Sequence, residues 1–169
     1  MNNNFKKIIF VVLAAALVFA AFPVTSAFAA DNPTPKSGLT NDKLEKAWAR
    51  QLRIYGRIDR AFTDSDAKLA KAQALIDKAA ANGKDVTAVQ SALDAFEGAL
   101  KNAKPIYESM KGIVNSHQGF DSSGKVTDFE KAKFTVDEMR SKLKDVKSSM
   151  NGTGKALREA LRDFRKANK

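Results

Sequence analysis

T-A-V-Q-S-A-L-D-A-F-E-G-A-L-K-N-A-K-P-I-Y-E-S-M-K-G-I-V, residues 87–114, decides the fold. Its apolar residues Val89, Leu93, Phe96, Leu100, Ala103, Tyr107, Met110 and Val114 are spaced alternately by 4 and 3. No polar residue interrupts that row. The spacing predicts a helix over 88–116 with a coiled-coil-like seam, about 44 Å long at 1.5 Å per residue. Thr87-x-x-Gln90 matches a capping box at its start. Pro105 lies off the seam and predicts a kink rather than an end.

The same register runs through both flanking segments. Downstream, Phe129, Val136, Leu143, Met150, Leu157 and Phe164 recur every seven residues. Their phase survives Asn151-Gly152-Thr153-Gly154, so one helix over 128–168 is expected, weakened at 151–154, with Thr127-x-x-Glu130 as its capping box. Upstream, Leu44, Trp48, Gln51, Tyr55, Ile58, Phe62, Ser65, Leu69, Ala72, Ile76 and Ala79 hold phase. Thr63–Asp66 has the composition of a break with a fresh N-cap, but because phase survives it one helix over 41–81 is expected. Asn82-Gly83 supplies a stop. No stretch alternates with period two. The expected fold is all-α: an elongated antiparallel three-helix bundle spanning 41–169. Its middle helix is the shortest. Leu44 and Trp48 at one end, and Leu157, Leu161 and Phe164 at the other, would then overhang unless Gly152 and Gly154 let the C-terminal turns fold back. The unbroken phase favours self-association or a partner helix.

Residues 1–30 read as a signal peptide. They contain no acid; Lys6-Lys7 precede an unbroken apolar run from Ile8 to Phe22, Pro23 breaks it, and Ala27-Phe28-Ala29 offers a small-x-small cleavage site. The protein is therefore expected to be exported, either secreted or held in the periplasm or cell envelope, and not to remain in the membrane. Asp31–Thr40 carries two prolines and reads as a flexible lead-in. Of 29 Lys and Arg, cleavage would remove two and no acid, leaving 27 against 19 and a net charge of +8.

Composition narrows the chemistry. The absence of Cys excludes thiolate nucleophiles, disulfides and Cys-ligated metal centres, and a single His, His117, excludes a multi-histidine site. Gly152-x-Gly154-Lys155 lacks the remaining residues of a phosphate loop, and no G-x-S-x-G is present. No catalytic residue is assigned, and the protein is read as non-enzymatic.

Two patterns point to binding. Lys155, Arg158, Arg162, Arg165 and Lys169 are 3, 4, 3 and 4 apart, one strip of a helix suited to a protein or an anionic envelope or extracellular polymer. No aromatic residue joins the strip, which argues against nucleic acid. The second pattern is G-F-D-S-S-G-K-V-T-D-F-E, residues 119–130. It follows an EF-hand loop at Asp121, Ser123, Gly124 and Glu130 but begins with Gly119 instead of a carboxylate, so at most weak Ca²⁺ binding is expected there. No other cofactor is expected. The competing reading is a connection with a glycine turn and a cap. His117 reads as a half-buried residue at a helix C-terminus.

A-Q-A-L-I-D-K-A-A-A-N-G-K-D-V-T-A-V-Q-S-A-L (72–93) and G-F-D-S-S-G-K-V-T-D (119–128) resemble segments of small exported all-helical bacterial proteins with no assigned activity. The resemblance implies an exported helical bundle and no catalytic residue. Leu39-Thr40-Asn41-Asp42-Lys43 departs at its last position from the L-T-x-x-Q repeat of periplasmic stress chaperones. That family is not adopted, and a chaperone or stress role stands as an alternative that rests on architecture alone.

Overall fold

The computed structural model describes residues 38–168. The expected signal peptide, most of the lead-in and Lys169 lie outside the described residues. The fold is all-helical: α1 (Asn41–Thr63), α2 (Ser65–Ala81), α3 (Thr87–Ser116), α4 (Phe129–Met150) and α5 (Thr153–Ala167). Phe120 and Val126 form an isolated antiparallel bridge in the loop before α4.

α3 is the axis. Its seam is buried from Val89 to Ile113, and α1, α2, α4 and α5 all pack against it. The hydrogen-bonded pairs Gln73–Gln90 and Tyr107–Asp59 set α1 and α2 antiparallel to α3. Gln51 of α1 donates from Nε2 to the Val136 carbonyl of α4 at 2.8 Å, and Val126, just before α4, donates to Glu45. These pairs run in the same order along both helices, so α1 and α4 are parallel. That much is the expected up-down-up arrangement.

Two expected helices are each divided. Residues 41–81 form α1 and α2, interrupted at Asp64, whose backbone remains right-handed (φ −93°, ψ −4°). Asp64 still donates to the Arg60 carbonyl, and Lys68 donates to that of Asp64. The interruption is shallow, and Ala72, Ile76 and Ala79 keep facing the core. At 151–154 the break is complete. Asn151 (φ 31°) and Gly152 (φ 75°) are both left-handed, a conformation that ends an α-helix. Thr153 Oγ1 bonds the Met150 carbonyl at 2.6 Å, and α5 begins anew. The helix over 128–168 is thus two helices, and a simple three-helix bundle gives way to one in which α4 and α5 share α3.

This division removes the expected overhangs. Leu157 is 1% and Leu161 6% exposed, and Phe164 packs beside them. At the other end Leu44 and Trp48 are 1% and 2% exposed, with Phe120 stacked on the Trp48 ring at 5.2 Å. The chain covers both ends itself.

The caps also differ from the expected boxes. Asp128, not Thr127, caps α4, accepting from the Lys131 N–H at 3.1 Å, and the Thr127 N–H that Glu130 was expected to reach donates to the Gly119 carbonyl instead. At α3, Asp85 accepts from the Thr87 N–H, and the Gln90 side chain bonds Gln73 and Asp94 instead of reaching back. Gly83 (φ 71°) closes α2, with the Lys84 N–H on the Ala79 carbonyl and the Gly83 N–H on that of Ala80. α3 runs through Pro105 without a break.

Candidate functional site

The loop between α3 and α4 is a tight turn built on Asp121. His117 ends α3 in the left-handed region, half-buried, with its N–H on the Ile113 carbonyl. The Gly124 N–H donates to the Asp121 carbonyl and Gly124 itself is left-handed (φ 81°). This is a type I turn followed by a glycine bulge. Asp121 Oδ1 accepts three donors: the Ser123 N–H at 2.8 Å, the Ser123 hydroxyl at 2.7 Å and the Lys125 N–H at 2.9 Å. The Lys125 N–H first, then Ser123, holds the Asp121 carboxyl below the usual carboxylate range.

Glu45 of α1 clamps this turn. Its carboxylate receives the Lys125 ammonium at 2.8 Å and the Val126 N–H at 3.2 Å, which lowers its pKa and raises that of Lys125. An open cleft of about 660 Å³ lies between the turn and α1, lined by Glu45, Trp48, Val114, His117 and Asp121. Of the residues in the EF-hand-like pattern, Asp121 and Ser123 are brought together, whereas Glu130 is exposed in the first turn of α4. Among the described residues no group of three or more His, Cys, Asp or Glu side chains is placed to hold a metal ion.

A half-buried polar cluster lies midway along the bundle. Tyr107 donates to Asp59 at 2.6 Å and Tyr55 reaches the same oxygen at 3.5 Å, while Phe62 stacks on Tyr107 at 4.6 Å. Burial, then the bond to Asp59, raises the Tyr107 phenol well above its ordinary value. Sequence reading took both tyrosines as seam residues and missed Asp59, which lies off the seam and acquires its role only when α1 meets α3.

α5 carries the basic strip. Leu157 and Leu161 face α3, and the strip flanks them. Lys155 and Arg162 are exposed, whereas Arg158 and Arg165 are half-buried. Arg158 Nε is steadied by the Gly154 carbonyl at 3.2 Å. Glu159 is 3.9 Å from Lys155, and Asp163 is 3.3 Å from Arg162. A second basic file was passed over in the sequence. Lys43, Lys46, Arg50, Arg53, Arg57 and Arg60 of α1 follow the same alternation of 3 and 4, and all six are exposed.

No family model, curated protein or solved structure matches this chain. Among the described residues no helix is long and apolar enough to cross a membrane.

Proposed function

We propose that the protein is exported and non-catalytic, a helical bundle that works by binding, with the basic face of α5 as its contact for an acidic partner outside the cytoplasm. The observation that carries this reading is the docking of α5. Leu157 and Leu161 are buried against α3, so Lys155, Arg158, Arg162 and Arg165 are held at fixed positions along a rigid helix. Preset charges lose less side-chain freedom on binding than charges on a loose tail. Export rests on the character of residues 1–30. The test is quantitative capture of cell-envelope components by the wild type and by a Lys155→Gln/Arg162→Gln variant. Both changed residues are exposed, so the variant should keep its helicity. A partner retained by the wild type and lost by about ten-fold or more in the variant supports the reading. An identical captured set contradicts it.

A further inference from the structure

The file on α1 is the longest run of like charge among the described helices. Its members, Lys43, Lys46, Arg50, Arg53, Arg57 and Arg60, fall within about 100° of the helix circumference at 100° per residue. The file is about 26 Å long at 1.5 Å per residue. The buried residues Leu44, Trp48, Gln51 and Ile58 face away from it, into the bundle. Pairing within the molecule engages its ends and leaves its middle open. Asp42 binds Lys46 at 2.8 Å and the Gly56 carbonyl receives Arg60 Nε at 3.1 Å. Arg50, Arg53 and Arg57 meet no carboxylate among the described residues.

We propose that this file is a docking surface for a linear, base-free phosphate polymer lying along α1. Charge complementarity sets the sign, and three observations narrow the chemistry. Four of the six residues are arginine, whose planar fork of donors matches paired phosphate oxygens better than an ammonium does. The file is a narrow strip of two staggered columns, Lys43, Arg50 and Arg57 beside Lys46, Arg53 and Arg60, with Ala49 and Gly56 at its edge, a shape that follows a thread. A bilayer surface would gain from apolar side chains to insert, and the large apolar residues exposed among the described residues, Leu39 and Phe134, are not in the file. Bases would need aromatic faces to stack on, yet Trp48 is buried against Phe120, and Tyr55 and Phe62 are packed on Tyr107. The surface lies on a different helix from the α5 face and does not rest on that reading.

Calorimetric titration of the full chain with inorganic polyphosphate, over a range of salt concentrations, tests it. Binding is expected to weaken steeply with salt, as for any multiply charged contact. An Arg50→Gln/Arg53→Gln/Arg57→Gln variant should bind about ten-fold more weakly or worse, with a log K against log salt slope shallower by roughly two. A Lys133→Gln/Lys144→Gln variant, at exposed positions of α4, should bind within about two-fold of wild type, which separates the α1 surface from loss of net charge alone. Should circular dichroism show that the triple variant has lost helicity, Arg53→Glu alone makes the same comparison. The proposal is overturned if wild type ignores polyphosphate, if the α1 variant binds as wild type does, or if single-stranded DNA, duplex DNA or anionic vesicles bind as tightly at equal phosphate concentration.

Discussion

Asp121 is exposed, yet one of its oxygens organises the whole turn between α3 and α4, and Glu45 ties that turn to α1. Both carboxyls are held below their ordinary values, so each stabilises the fold only when ionised. That contribution is complete above the unfolded values, 4.5 for Glu45 and 3.8 for Asp121, and is lost as pH falls through the lower folded ones. Trp48, the single tryptophan, reports the loss because it stacks on Phe120 at the foot of the turn. Its emission is expected to change as pH falls below about 4, and a Glu45→Gln/Asp121→Asn variant should show the altered emission already at pH 7. Emission that stays constant to pH 2 in the wild type would contradict this role. Gly124 was legible in the sequence as a turn, whereas Asp121 and Ser123 were legible only as candidate Ca²⁺ ligands. Glu45 was not, because it lies 80 residues from Lys125 and no local pattern links them.

At the scale of elements, the heptad rows were legible and the break at 151–152 was not. Unbroken phase suggested one helix, but α4 and α5 each need an apolar row facing the same α3, so each keeps the register whether or not they are joined. Side-chain spacing reports what a helix packs against; it does not report backbone continuity. The consecutive left-handed residues Asn151 and Gly152 decide continuity instead. The caps were misread for a related reason: Gln90 has a suitable side chain but Gln73 of α2 claims it, and α4 begins one residue later than the Thr127 box requires. Two glycine substitutions separate left-handed strain from collision. Gly152→Ala meets open space and should cost about 1 kcal/mol, the strain of a left-handed alanine. Gly119→Ala adds a collision with the Ala132 backbone and the Asp128 carbonyl, and should cost about 3 kcal/mol or more. Urea denaturation of the two variants checks the order; equal losses would mean that the Gly119 approach to α4 is not as close as described.

For the molecule as a whole, the basic strip on α5 was legible because its spacing stands out at the C-terminus. The longer file on α1 is less legible because it is interleaved with the apolar row of the same helix, although both files follow the same alternation of 3 and 4. The expected exposed ends are covered in two separate ways: with α4 ending at Met150, a fifth helix covers the rest of α3, and the turn at 119–126 covers Leu44 and Trp48. The basic face of α5 depends on that closure within one chain, since it is held in place only if the apolar row of α5 is docked. The unfolding free energy of Leu157→Ala, measured in urea at two protein concentrations far apart, tests this most directly. Leu157 is 1% exposed, so a loss of about 3 kcal/mol is expected, the same at both concentrations. A loss below about 1 kcal/mol, or one that grows with dilution, would contradict it by showing that α5 is undocked or is covered by a second copy.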